Sequence, residues 1–71
     1  MKKYRTGTII SVAKREVLLA LVDSHKCCLI DMTDGNRWNN PLEVECADGV
    51  TVAEIKKMAR PYAFHIVRER I

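Results

Sequence analysis

The chain has few of the residues that mark specialised classes of protein. Its 71 residues include three glycines, two prolines, three cysteines and 6% aromatic residues. The longest apolar run is Val17–Val22, far shorter than the roughly 20 residues that a membrane helix needs. No charged-then-apolar opening segment with a small-residue cleavage site is visible, so we expect no secretory signal. The sequence therefore predicts one small cytoplasmic domain over residues 1–71, with no membrane attachment.

The odd number of cysteines excludes complete disulfide pairing within one chain. Cys27 and Cys28 are adjacent, and Cys46 stands alone. Together with His25 and His65 they form a conceivable zinc set, but the sequence lacks the closely spaced cysteine pair of a zinc knuckle. Buried free thiols in a reducing compartment are favoured instead, and we expect no metal or other cofactor.

Alternation of apolar and polar residues is the main structural signal. It predicts five strands, at Tyr4–Val12, Val17–Asp23, Cys27–Met32, Leu42–Cys46 and Tyr62–Arg68. Gly7 inside the first strand predicts a bulge or sharp bend. Asp34 and Gly35 predict a type I′ hairpin turn, after which Arg37 and Trp38 begin the returning strand. Pro41 interrupts that strand because proline cannot donate to a β-ladder.

One segment has the pattern of a helix. Thr51 is a favourable N-cap, and Glu54 completes a capping box three residues later. The helix is predicted over about 52–59 and ends before Pro61. Its predicted buried face is formed by Val52, Ile55, Met58 and Ala59. In the strand that follows, Tyr62 and Phe64 are expected to face the core.

The resulting order, four strands, a short helix and a fifth strand, resembles the SH3-like small β-barrels. The resemblance is architectural, and it implies a mainly β, five-stranded barrel whose first and last strands are neighbours. The aromatic motif of the peptide-binding SH3 domains is missing, so their proline-groove activity is not implied. The basic start and the segment from Gly35 to Trp38 also look like the small accessory proteins of phages and mobile elements.

Charge is distributed unevenly along the chain. Residues 1–26 carry a net +4, residues 27–54 a net −5 and residues 55–71 a net +4. If the first and last strands are neighbours, the basic ends form one face that favours anionic partners. The alternative is a solvated surface that keeps a small protein soluble.

The sequence gives little support to catalysis. Its glycines are isolated, so no phosphate-binding loop is present, and neither a nucleophile elbow nor a zinc-protease motif occurs. Glu43 and Glu45 lie on the solvent side of one predicted strand, as a solvated pair does. A barrel of this size has little room for a pocket that excludes water. We therefore expect a protein that is not an enzyme and has no small-molecule substrate.

Two binding functions fit the residues. The first is a module that binds a protein partner, or a second copy of itself, through the hairpin residues Arg37 and Trp38 or through an edge strand. Trp38 is also a candidate for closing one end of the barrel. The alternative is a nucleic-acid-binding barrel that uses basic residues near both ends: Lys2, Lys3, Arg5, Lys56, Lys57, Arg68 and Arg70. The sequence pI near 8.9 and the scarcity of aromatic residues count against this alternative.

Overall fold

The computed structural model describes residues 2–70. Its elements are β1 (Ile9–Val12), β2 (Arg15–Asp23), β3 (Lys26–Asp31), β4 (Leu42–Glu43), α1 (Val52–Ala59) and β5 (Phe64–Arg68). The strands form a single antiparallel sheet in the order β4-β3-β2-β1-β5. The predicted mainly β class, with one short helix before the last strand, is therefore confirmed. Within the described residues the sheet is open, with β4 and β5 at its edges.

The first strand is shorter than the predicted Tyr4–Val12. Gly7 has a φ of 100° and donates its N–H to Leu19, whose own N–H is donated to Thr8. Two residues thus oppose one, which is the bulge predicted at Gly7. Before this bulge, Tyr4 leaves the β1 ladder and pairs with Val50 instead.

The prediction of a type I′ turn at Asp34 and Gly35 is wrong. Only Gly35 of this pair has a positive φ, 75°, and the hairpin has a longer loop over residues 32–35. The Asp31 carboxylate accepts the N–H of Thr33, and the Asp34 carboxylate accepts the N–H of Asn36. Such local bonds stabilise a wider turn in place of the two-residue one.

Two consecutive positive φ angles occur instead between β1 and β2. Val12 pairs with Arg15, so the connection consists of Ala13 and Lys14, whose φ angles are 50° and 63°. This is the geometry of a type I′ hairpin turn without its preferred Asn-Gly or Asp-Gly sequence. Pairing of the flanking strands imposes it, because both strands are held by further neighbours.

The fourth strand is limited to Leu42–Glu43, although the sequence predicts Leu42–Cys46. Its alternation is nevertheless confirmed: Leu42 and Val44 pack against the core and Cys46 is buried, while both intervening glutamates are exposed. The chain leaves the ladder after Glu43, and Cys46 donates its N–H to Ser24 at the β2–β3 turn. The last strand likewise begins two residues later than predicted.

The core lies between one face of the sheet and α1. The capping box of Thr51 and Glu54 is present as predicted, and Ile55, Met58 and Ala59 point into the core. Val52 is 47% exposed, so its place on the buried face was wrong. Tyr62 is 52% exposed, so its place in the core was also wrong. The buried side chains of the cluster are Tyr4, Ile10, Val12, Val17, Leu19, Cys27, Leu29, Cys46, Val50, Ile55, Met58 and Ala59.

Candidate binding face of the sheet

The face of the sheet opposite α1 carries an apolar row across three strands. Ile9 pairs with Leu18, and Leu18 pairs with Ile30. These side chains alternate with the buried core residues of the same strands, and all three are half-buried. None belongs to the core cluster or packs against it. We call this row, with the two arginines described next, the outer row.

An arginine stands at each end of the outer row. Arg68 of β5 pairs with Ile9, and Arg37 forms an isolated bridge with Ile30. Both arginines are exposed. Neighbouring strands are about 4.8 Å apart, so four spacings put the two arginine Cα atoms roughly 19 Å apart. The outer row is thus an apolar strip with a positive charge at either end.

Trp38 explains why Arg37 lies on this face. The backbone N–H of Trp38 donates to the Leu29 carbonyl at 2.7 Å, and the half-buried indole packs against the core cluster. Its ring also meets the Tyr62 ring edge-on, with the centroids 6.0 Å apart and the planes at 62°. Since successive residues of an extended segment point to opposite faces, fixing Trp38 on the core side directs Arg37 to the outer side.

Cys28 lies on the outer face, close to Arg37. It pairs with Ala20 next to the outer row, and only 1% of its surface is exposed, although it lies outside the core cluster. Burial raises the pKa of the Cys28 thiol, and the nearby positive charge of Arg37 partly offsets that rise. A buried thiol therefore lies close to the Arg37 guanidinium on the outer face.

The basic residues singled out in the sequence are divided among several places. Lys2 forms a salt bridge of 2.7 Å with Glu69, whose hydrogen bond raises the pKa of the lysine. Arg5 and Arg70 are joined by a backbone hydrogen bond of 2.9 Å. The exposed residues Lys56 and Lys57 lie on α1, on the core side of the sheet, whereas Arg68 lies on the outer side. Lys3 is exposed beside the Gly49 turn.

The outer row itself was missed by sequence reasoning. The signal that could have found it is the run Val17–Val22, in which every residue is apolar. A strand with one solvated face would instead alternate between apolar and polar residues. A strand that is apolar at every position has apolar side chains on both faces of the sheet. Only one face of this strand, with Val17 and Leu19, packs against the core.

Residues 2–70 contain neither a candidate metal site nor a helix that could cross a membrane. No three histidine, cysteine or acidic side chains in this part of the chain are grouped so that they could hold a metal ion. None of the helical segments over these residues has the length and apolar character to cross a membrane. In comparisons with known proteins, no family model, curated protein or solved structure matches the chain.

Proposed function

We propose that this chain is a non-enzymatic binding module whose outer row engages a protein partner. The partner segment has an apolar centre bounded by acidic side chains. The observation that carries the proposal is the strip Ile9–Leu18–Ile30 with Arg37 and Arg68 at its ends. In this proposal Arg37 contacts the partner, and Trp38 positions Arg37 through its own packing.

The chemistry of the strip favours a protein partner over other surfaces. Apolar side chains lose water on contact and supply most of the affinity, while charges at the rim orient the partner and speed association. Arginine is over-represented at binding hot spots because its fork pairs with carboxylates in two parallel hydrogen bonds. The outer row has no aromatic ring on which a nucleobase would stack, and stacking is what single-stranded nucleic acids need.

Charge also disfavours a second copy of the chain as the occupant. Two copies with their outer rows facing and aligned would bring arginine against arginine in either direction. Like charges placed opposite each other at an interface oppose association. A partner with acidic side chains roughly 19 Å apart satisfies both ends, a spacing that follows from four strand separations.

We also propose that the fold is an SH3-like small barrel. The strand order, in which β1 lies between β2 and β5, and the helix just before the closing strand support this architecture. Closure would curve the sheet around the core and leave the outer row on its convex side. The binding proposal depends on the pairing of the strands and holds for an open or a closed sheet.

The test is selection of peptides from a random library displayed on phage, with the folded full chain as bait. We expect selected peptides to share an apolar run with Asp or Glu on both sides. Peptides without acidic flanks, or with basic ones, would contradict the proposed chemistry. Sedimentation of the chain alone, which we expect to show a monomer, distinguishes a partner from self-association.

Matched variants then locate the binding surface. Ile30→Thr keeps the β-branched shape and reduces apolar contact. We expect it to weaken the binding of a selected peptide about tenfold. Arg37→Glu should weaken the peptide by at least fivefold, since repulsion replaces an exposed ion pair worth about 0.2–1 kcal/mol. The controls are Val52→Thr and Lys57→Glu on α1, which make comparable changes away from the outer row. Equal loss in the controls would refute the assignment.

A further inference from the structure

A second surface feature lies away from the outer row, where the two ends of the described chain meet. It is a cleft of about 260 Å³ lined by Arg5, Thr6, Leu21, Cys46, Ala47, Gly49 and Arg70. We call it the two-arginine cleft. None of these seven lining residues is acidic, so its charged groups are all of one sign.

Hydrogen bonds between the chain ends hold the two arginines side by side. The Arg5 N–H donates to the Arg70 carbonyl at 2.9 Å. The buried Thr8 hydroxyl donates to the Arg5 carbonyl at 2.8 Å and accepts the Arg70 N–H at 3.0 Å. Both backbones are therefore fixed against each other before any ligand arrives, which reduces the entropy that binding would cost.

The side chain of Arg70 lies close to Gly7. A Cβ atom added at Gly7 would lie 3.6 Å from Cγ and 3.8 Å from Cδ of Arg70. The aliphatic stem of Arg70 thus passes beside Gly7, at an ordinary van der Waals distance from where a Cβ atom would lie. The same arginine lines the cleft.

Neither arginine is neutralised by an acidic side chain in the described part of the chain. The salt bridges over residues 2–70 involve Lys2 with Glu69, and Arg15 with Asp31 and Asp34. Lys2 and Arg15 thus have acidic partners, while Arg5 and Arg70 have no acidic side chain bound to them within residues 2–70. Both arginines line the same cleft, so their like charges repel each other, and a bound anion would relieve that repulsion.

We propose that the two-arginine cleft binds a single phosphate group. Two guanidinium groups offer paired N–H donors that match phosphate oxygens, and the exposed Thr6 side chain at the rim adds a hydroxyl. The volume of about 260 Å³ is below the ~300–1,000 Å³ typical of sites for drug-sized ligands. The cleft therefore takes one phosphate, either free or as part of a nucleotide strand, and does not enclose a whole cofactor.

The experiment is titration of ¹⁵N-labelled full chain with three probes, followed by amide chemical shifts. The probes are inorganic phosphate, a mononucleotide and a six-residue oligothymidylate, with sodium chloride at matched ionic strength as the blank. We expect saturable shifts at residues 5, 6, 49 and 70. Saturation by inorganic phosphate identifies a free phosphate as sufficient. Saturation by the mononucleotide without inorganic phosphate identifies the phosphate of a nucleotide, and saturation by the oligonucleotide alone identifies a strand phosphate. Each of these results supports the cleft if it depends on the arginines.

Variants decide that dependence. Arg5→Gln and Arg70→Gln should each weaken the binding probe at least fivefold, while Lys57→Gln on α1 leaves it unchanged. Arg5→Lys keeps the charge but loses the paired donors, and we expect an intermediate loss. Urea unfolding of each variant verifies that it is folded. No saturable shift with any probe, or equal binding by both glutamine variants and wild type, would overturn the proposal. Its failure would leave the peptide-binding proposal intact, because the two surfaces share no residue.

Discussion

Thr8→Val tests how the ends of the chain are held together. Thr8 is fully buried, and its hydroxyl accepts the Arg70 N–H and donates to the Arg5 carbonyl. Valine has the same shape, so the substitution removes these two hydrogen bonds without opening a cavity. We expect the cost to come from the polar groups that lose a partner.

The expected magnitude is about 1–3 kcal/mol, the penalty for leaving a buried polar group unpaired. A domain of this length has a free energy of unfolding of roughly 4–10 kcal/mol, so the loss is a large share. With an m-value of about 1 kcal/mol/M, the urea midpoint should fall by roughly 1–3 M. Trp38 fluorescence follows the transition, because the indole is half-buried against the core.

Thr6→Val is the matched control for this experiment. Thr6 is two residues away and exposed, so its substitution should change the midpoint little. The reasoning is refuted if Thr8→Val unfolds at the wild-type urea concentration, or if both variants lose the same stability.

Three further results are expected. Gly49→Ala should destabilise the chain by at least about 1–3 kcal/mol in urea unfolding, because its φ is 104° and a Cβ would lie 2.8 Å from the Tyr4 carbonyl oxygen; a wild-type midpoint would contradict this. Hydrogen bonding from Thr33 and the charge of Arg15 lower the pKa of Asp31, so the stability it contributes should be complete above about pH 4 and be lost as the pH falls below that. Asp31→Asn should make the free energy of unfolding less dependent on pH in this acid range, and an unchanged pH dependence would contradict the prediction. Burial raises the pKa of Cys27 to about 12, so we expect this thiol to react with a disulfide reagent at pH 8 only through unfolding, and fast reaction without urea would disprove it.

Local signals in the sequence accounted for much of the fold. The capping box at Thr51 and Glu54 located the helix to the residue, because capping and the position of Pro61 are both short-range effects. The bulge at Gly7 was equally predictable, since glycine takes a positive φ without steric cost. Strand alternation gave the number and order of the strands.

The errors arose where tertiary pairing overrides local preference. Ala13 and Lys14 adopt positive φ angles although neither residue favours them, because β1 and β2 are both paired on their other sides. Asp34 and Gly35, the better turn sequence, sit in a wider loop because nearby carboxylates bond its backbone N–H groups. Tyr62 follows the apolar alternation of β5 but precedes the strand, so its ring contacts Trp38 near the surface and does not enter the core.

The candidate sites were harder to predict from the sequence, because each joins residues that are distant in the chain. Arg37 was singled out beforehand, but its partners in the outer row come from four strands, β1, β2, β3 and β5. Arg5 and Arg70 were named only as members of a basic set, and their adjacency depends on the pairing of the chain ends. Single-sequence patterns contain no register between strands, and register is what builds both surfaces.

The most direct test of the binding proposal is an amide chemical-shift map of the full ¹⁵N-labelled chain with one selected acidic-flanked peptide. The outer row predicts the largest shifts at Ile9, Leu18, Ile30, Arg37 and Arg68, with α1 unaffected. Shifts confined to α1 or to the exposed edge of β5, with the outer row unchanged, would contradict the account.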